Sequence, residues 1–245
     1  MTELTAIHQL LQELRLKGME MVLEHELVSA SKQGLSIQAC LLALLQAEQK
    51  HQQERRLQYR IQQAKLPFDW SLESFPYHLQ PSVDKTQIMT LAGLEFIQRG
   101  DNIVFIGEPG TGKTGLALGL MRKALLEGYR GRFFKVQDLL DELYASLADR
   151  STSKLFKRLC NYDILLLDEL GYLTLNEKQM NMFFKLMDER YTKARPTMIT
   201  SNLSPERWYG LLKPKTMVDA LLDRLHHRCV TIRIQGDSLR RPAAE

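Results

Sequence analysis

Three cysteines in 245 residues leave little for cysteine chemistry to do. Cys40, Cys160 and Cys229 are far apart, odd in number and form no C-x-x-C, which argues against a disulfide framework and a cysteine zinc site. Free thiols suit a reducing compartment. His226 and His227 are adjacent, so they are not spaced as paired ligands on one helix face. Long apolar runs are also missing. The longest are CLLALL (40–45) and DILLLD (163–168), against about 20 residues for a membrane-spanning helix. The start, MTELTAIHQL, lacks a basic region followed by an apolar run, so no signal peptide is expected. The expectation is a soluble, cytoplasmic protein with no membrane partner. Nor does one sign of charge dominate. With 33 Lys and Arg against 29 Asp and Glu, the net charge of +4 permits nucleic-acid contact without demanding it. There is no internal repeat, no low-complexity segment, and no zinc-finger or helix-turn-helix signature.

What is present is an ordinary globular balance, 44% hydrophobic and 25% charged, long enough for one α/β domain and a smaller attached piece. Leu4, Ile7, Leu10, Leu11 and Leu14 recur at helical spacing within 3–28, with Gly18 weakening the middle and Gly34 breaking the chain. Ser36 is placed to cap a second helix over 37–64, apolar early and basic late, which Pro67 ends. Residues 66–83 hold three prolines and several aromatics and read as an extended linker lying against the next domain. A helix over 84–98 follows, with Asp84 and Gln87 resembling a capping box. Strands are then predicted near 102–106, 132–136, 163–167, 197–201 and 229–234. Helices lie between them near 113–127, 138–148, 176–193 and 216–227. This alternation means a parallel sheet covered on both faces. The predicted organisation is a helical domain over 1–65, a linker over 66–83 and an α/β domain over 84–245.

Gly107-Glu108-Pro109-Gly110-Thr111-Gly112-Lys113-Thr114 matches G-x-x-x-x-G-K-[ST], after a strand and at the start of a helix. Its glycines let the backbone wrap so that N–H groups point at phosphates, and the helix N-terminus adds the positive end of a dipole. Lys113 supplies charge to the β and γ phosphates and the Thr114 hydroxyl is a Mg²⁺ ligand. The segment, with Gly115 after it, predicts binding of ATP and Mg²⁺. The apolar run Ile164–Leu167 ends in Asp168 and Glu169. Ligands of a parallel sheet sit beyond the carboxyl ends of its strands. Asp168 is therefore placed to hold Mg²⁺ through its water shell, and Glu169 to orient and deprotonate an attacking water.

Asn202 ends another short strand, where its amide either holds the water or the γ-phosphate or simply makes a turn. Arg224, in ALLDRLHHR, is either a surface helix residue or an arginine finger reaching a neighbouring subunit. Arg130, Arg132, Lys154, Lys157 and Arg158, with Arg55, Arg56, Arg60 and Lys65 on the second helix, are candidates for contact with DNA phosphates or for a solvated face.

In series, GEPGTGKT, LLLDELGYL, DERYTKA, TMITSNL and ALLDRLHHRC resemble AAA+ ATPases of the initiator and loader group, most closely the IstB-like helpers of insertion-sequence transposases. RRLQYRIQQAKLP is similar to the basic stretch that precedes the ATPase domain in those proteins. The resemblance implies an AAA+ core with a five-stranded sheet, Asn202 as sensor 1 and Arg224 as a finger acting in trans. It implies a homo-oligomer that ATP assembles on duplex DNA and that stimulates a cognate transposase. The alternative is a replicative helicase loader of the DnaC type. A scaffold that holds ATP without turning it over has less need of Glu169. The chain departs from the wider AAA+ pattern in two places. It ends soon after its last strand, so no helical lid is expected, and Arg240 or Arg241 is left to stand in for a lid-borne second sensor. It also carries Gly115 where a larger residue is more usual, which is expected to loosen the first helical turn.

Overall fold

A computed structural model of the chain describes residues 2–171, 176–210, 212 and 214–240. They fall into two compact units, Met1–Tyr59 and Arg60–Glu245. Among the described residues no helix is long and apolar enough to cross a membrane.

The first unit holds α1 (Glu3–Glu13), α2 (Lys17–Gln33) and the start of α3 (Ile37–Ala64). The single helix expected over 3–28 is two. The chain leaves helical geometry between them, with Arg15 at φ 58°, rather than at Gly18. Gly18 lies inside α2 and serves close approach. A Cβ there would come within 2.7 Å of the Ala47 carbonyl and Glu48 Cα on α3. Where the helices touch, the Glu48 carboxylate accepts from the Gly18 and Met19 amides at 2.7 and 3.2 Å. It thus caps a helix whose own N-cap, Leu16, has no side chain able to do so. Gly34 closes α2 in the left-handed conformation, and the Ser36 hydroxyl accepts from the Ala39 amide, both as their residue types predict. Leu11, Met19, Leu23 and Leu44 form a small core.

The second unit is an α/β domain. Five strands, β1 (Asn102–Gly107), β2 (Gly131–Lys135), β3 (Ile164–Asp168), β4 (Thr197–Ser201) and β5 (Cys229–Ile234), make one sheet in the order β2-β3-β4-β1-β5. Every neighbouring pair is parallel. All carboxyl ends therefore share one edge, where a ligand site belongs. All five residues of β3 are buried, as its unbroken apolar run demands.

Alternate strand residues feed two cores. Val104, Ile106, Leu165, Leu167 and Ile199 face α7 (Val136–Ala145), α8 (Thr152–Asn161), α9 (Glu177–Thr192) and α10 (Lys215–His227). Ile103, Phe105, Ile164, Leu166, Met198 and Ile232 face α4 (Lys85–Ala92), α5 (Glu95–Arg99) and α6 (Lys113–Leu126). The helix expected over 84–98 is broken in two by Leu94 at φ 64°, although Asp84 caps its start as expected. Leu72, Phe75 and Val83, from the proline-containing segment, are buried in the second core.

One buried cation sets the two central strands. Arg190 on α9 is 1% exposed. Its guanidinium donates to the carbonyls of Leu159, Tyr162 and Pro196 and to the Thr197 hydroxyl. Burial pushes its pKa down to about 9, still high enough to keep the charge at neutral pH. The planar fork thus ties the end of α8 to the starts of β3 and β4.

Candidate functional site

β1 ends at Gly107, and the chain turns through Gly110 and Gly112, at φ 87° and 93°, before α6 begins at Lys113. Those left-handed angles are open to glycine and strained for other residues. The turn is braced from within. The Glu108 carbonyl accepts from Lys113 Nζ at 2.8 Å and from Thr111 Oγ1 at 2.9 Å. It is also pinned from outside, where the Leu239 amide donates to the Gly110 carbonyl at 2.9 Å.

The acidic pair stands opposite. Asp168 ends β3 and is 4% exposed. Its Oδ1 accepts from Thr114 Oγ1 at 2.7 Å and from Thr200 Oγ1 at 2.6 Å. The start of α6, β3 and β4 are thereby joined at one carboxylate oxygen. Glu169 follows at φ 66°, with its amide donating to Thr200 Oγ1 at 3.0 Å. Its half-exposed carboxylate is 3.4 Å from Lys135 Nζ at the end of β2. Asn202 lies against Gly171, and its Oδ1 is buried with no hydrogen-bond partner.

These groups border a cavity of about 370 Å³, lined by Gly110, Lys113, Thr114, Glu169, Asn202 and Arg240 among others. Burial pushes the Lys113 ammonium below its usual range despite the pull of Asp168 and Glu108. Burial also pushes the Asp168 carboxyl up, outweighing the two threonine hydrogen bonds that favour its ionised form. Desolvation is the largest influence on both groups. A phosphate chain with a divalent cation fits this donor set, because it presents opposite charge to each. The adjoining hydroxyl and carboxylate of Thr114 and Asp168 are hard oxygen donors suited to Mg²⁺.

The raised Asp168 carboxyl makes a stability prediction. Its folded pKa lies above the unfolded one, so its ionisation costs the fold stability as pH rises through that interval. Asp168→Asn keeps an acceptor for both threonines without the charge. The apo variant is expected to melt at a higher temperature than wild type at neutral pH. The gap should close in acid, where the wild-type carboxyl is also neutral. Thermal melts across pH check this, and a lower neutral-pH melting point for Asp168→Asn would contradict the sign.

Arg224 is not among the cavity's lining residues. Its guanidinium pairs with Asp188 on α9, donates to the Ala220 carbonyl, and lies 5.8 Å from the Tyr191 ring centre. It borders a separate groove between α9 and α10. The basic candidates divide. The Arg130 guanidinium pairs with Asp163 at 3.4 Å, Arg158 bonds Glu142, and Arg132 donates to the Gln63 carbonyl beside the Phe134 ring. Arg60 similarly donates to the Leu125 carbonyl. Lys154 and Lys157 are exposed on α8. Arg240 lies at the cavity, and Arg241 lies outside the described residues. Gly115 has a reason other than a loosened helical turn, since the Trp70 indole packs directly on it.

Residue spacing missed six neighbours of the site: Phe68, Trp70, Lys135, Thr200, Ser201 and Leu239. The two aromatics stand in the proline-containing segment, and the polar Thr200 interrupts an apolar strand. Those were the available signals.

Residues 9–244 match the family model of IstB-like ATP binding proteins. The chain is 34% identical over 231 residues to the ATP-binding protein of insertion sequence IS21 from Pseudomonas aeruginosa, covering 94% of this chain and 87% of that protein. It is 34% identical over 211 residues to the ATP-binding protein of insertion sequence IS5376 from Geobacillus stearothermophilus, covering 86% and 84%. Among solved structures, DnaI superposes with a TM-score of 0.58 at 20% identity, over 67% of this chain and 90% of that one. The DnaC helicase loader superposes with a TM-score of 0.52 at 24% identity, over 61% and 87%. At such identities these two likenesses concern the fold.

Proposed function

The chain belongs to the IstB-like ATP-binding protein family, and from that premise we propose that it is a Mg²⁺-dependent ATPase that assembles on duplex DNA and stimulates a cognate transposase. The observation that carries the ATPase reading is the bond from Thr114 to Asp168, which joins the phosphate loop to the acidic strand end with Glu169 beside it.

In this reading the amides of Gly107–Thr114 and Lys113 hold the phosphates, and Thr114 and Asp168 hold Mg²⁺. When bound, the metal neutralises charge on the β and γ phosphates. Glu169 takes the proton of the attacking water as its oxygen bonds to the γ phosphorus and the bond to the β–γ bridging oxygen breaks. Asn202, which lines the cavity, orients that water through its amide. Arg224 comes from the neighbouring subunit, so ATP favours the assembled state by linkage. Residues 1–65 serve assembly or partner contact, joined through 66–83 to the ATPase domain over 84–245. Lys154 and Lys157 are the better DNA candidates, because the side chains of Arg130, Arg132 and Arg158 are engaged within the fold. A reducing cytoplasm suits the free thiols of Cys40, Cys160 and Cys229.

The insertion-sequence relatives favour this reading over a helicase loader, which rests on likeness of fold. Sedimentation with duplex DNA tests it. With a slowly hydrolysed ATP analogue the protein is expected to form large DNA-bound assemblies that ADP does not support. Assembly indifferent to nucleotide would refute the switch, and a marked preference for single strands would favour the loader.

A further inference from the structure

One wall of the nucleotide cavity is unsuited to phosphate. Phe68 and Trp70 line it beside Gly115, with ring centres 6.3 Å apart in an edge-to-face arrangement. Gly115 stands in the first turn of α6, directly after Thr114. A Cβ on it would lie 2.8 Å from Trp70 Cε2 and 3.1 Å from Nε1. One turn on, a Cβ on Gly119 would lie 2.7 Å from Leu72 Cδ2. Two glycines four residues apart share a helix face, so they open a slot that seats residues 70–72 on α6. A glycine pair in a helix sacrifices local stability, and here it admits the indole to the edge of the phosphate loop.

Two features of that indole are unlike a mere packing residue. It lines the cavity itself, and its Nε1 is buried with no hydrogen-bond partner. A buried indole N–H normally finds an acceptor. The other tryptophan obeys this rule, since Trp208 is fully buried and donates to Ser201 Oγ at 3.3 Å.

We propose that Trp70, with Phe68 at its edge, is the nucleobase shelf of the site. This inference rests on the ATP-site reading above. With phosphates held at Gly110–Thr114, the remainder of a nucleotide leads past Gly115 to the indole. The base stacks on its face, and such a π face favours the larger stacking surface of a purine over a pyrimidine.

Calorimetric titration of the full chain with ATP, UTP and inorganic tripolyphosphate tests this. Tripolyphosphate reads the phosphate cradle alone, so the ratio of ATP to tripolyphosphate affinity isolates the base. Stacking of a base on an aromatic side chain corresponds to about 10–100-fold in affinity. Trp70→Ala is expected to reduce the ratio by about that factor and to erase the preference for ATP over UTP. Trp70→Phe, which keeps a ring and should fold even where alanine does not, is expected to recover most of it. Gly115→Ala, which displaces the indole, should lower the ratio as well. ATP, but not tripolyphosphate, should quench tryptophan emission in the wild type and not in Trp70→Phe. Ratios equal within twofold in wild type and both Trp70 variants would overturn the shelf. A wild-type protein that binds neither ATP nor tripolyphosphate would instead overturn the ATP-site reading beneath it.

Discussion

Replacing Glu169 with glutamine is expected to lower ATP turnover by about two to four orders of magnitude while leaving ATP affinity within a few-fold. Glutamine has the shape of glutamate but cannot accept a proton from water at neutral pH. Lys113 and the loop amides, the groups proposed to hold the phosphates, are untouched by the change. Nor should the backbone shift, because the left-handed turn at Glu169 is held by its own amide on Thr200 and by the Leu170 amide on the Thr200 carbonyl. The substitution does remove the 3.4 Å ion pair with Lys135. Both partners are about half exposed, so the pair contributes little to stability. Steady-state phosphate release and equilibrium binding of an ATP analogue separate the two effects. Unchanged turnover would place the base elsewhere.

The second large effect concerns Arg224. An arginine finger is worth on the order of 10³–10⁵ in turnover, so Arg224→Ala is expected to be nearly inactive in the presence of DNA. Its place in the fold explains why trans action is the reading to test. The guanidinium faces Asp188 and the groove between α9 and α10, away from the cavity's lining residues in its own subunit. Engaging a neighbour's phosphate requires leaving Asp188. That is a small cost, because Asp188 is half exposed and Arg224 one-third exposed.

Mixing discriminates cleanly. Glu169→Gln subunits retain the finger, and Arg224→Ala subunits retain the base. Their mixture is expected to regain part of the hydrolysis that each lacks alone, at the interfaces where one supplies each group. Titrating one inactive protein into the other and following phosphate release measures this. A mixture as inactive as its parts, or an Arg224→Ala protein with wild-type turnover, would remove Arg224 from the trans role.

Local and distant features of the molecule were unequally legible. The turn over 107–114 is eight contiguous residues shaped by their own backbone, so spacing alone predicted it. The acid at the end of β3 was legible for a related reason: an apolar run followed by Asp168 and Glu169 places both at the carboxyl edge of the sheet. Element boundaries were less legible. Arg15 and Leu94, both at positive φ, break helices that periodicity reads as continuous, because tertiary packing overrides the local preference of a non-glycine residue.

The sequence by itself determined the five parallel strands, the glycine turn that leads into α6 and the acidic pair at the end of β3, since each depends on short-range pattern and backbone chemistry. Only the tertiary structure decided that Thr200 shares Asp168 with Thr114, that Glu48 caps α2 from 30 residues away, and that Arg190 ties α8 to β3 and β4. It also decided that the Trp70 indole rests on Gly115 and that Arg224 faces away from the cavity. These are meetings of side chains remote in sequence. Whether such groups touch depends on how helices and strands pack, and no run of neighbouring residues encodes that separation.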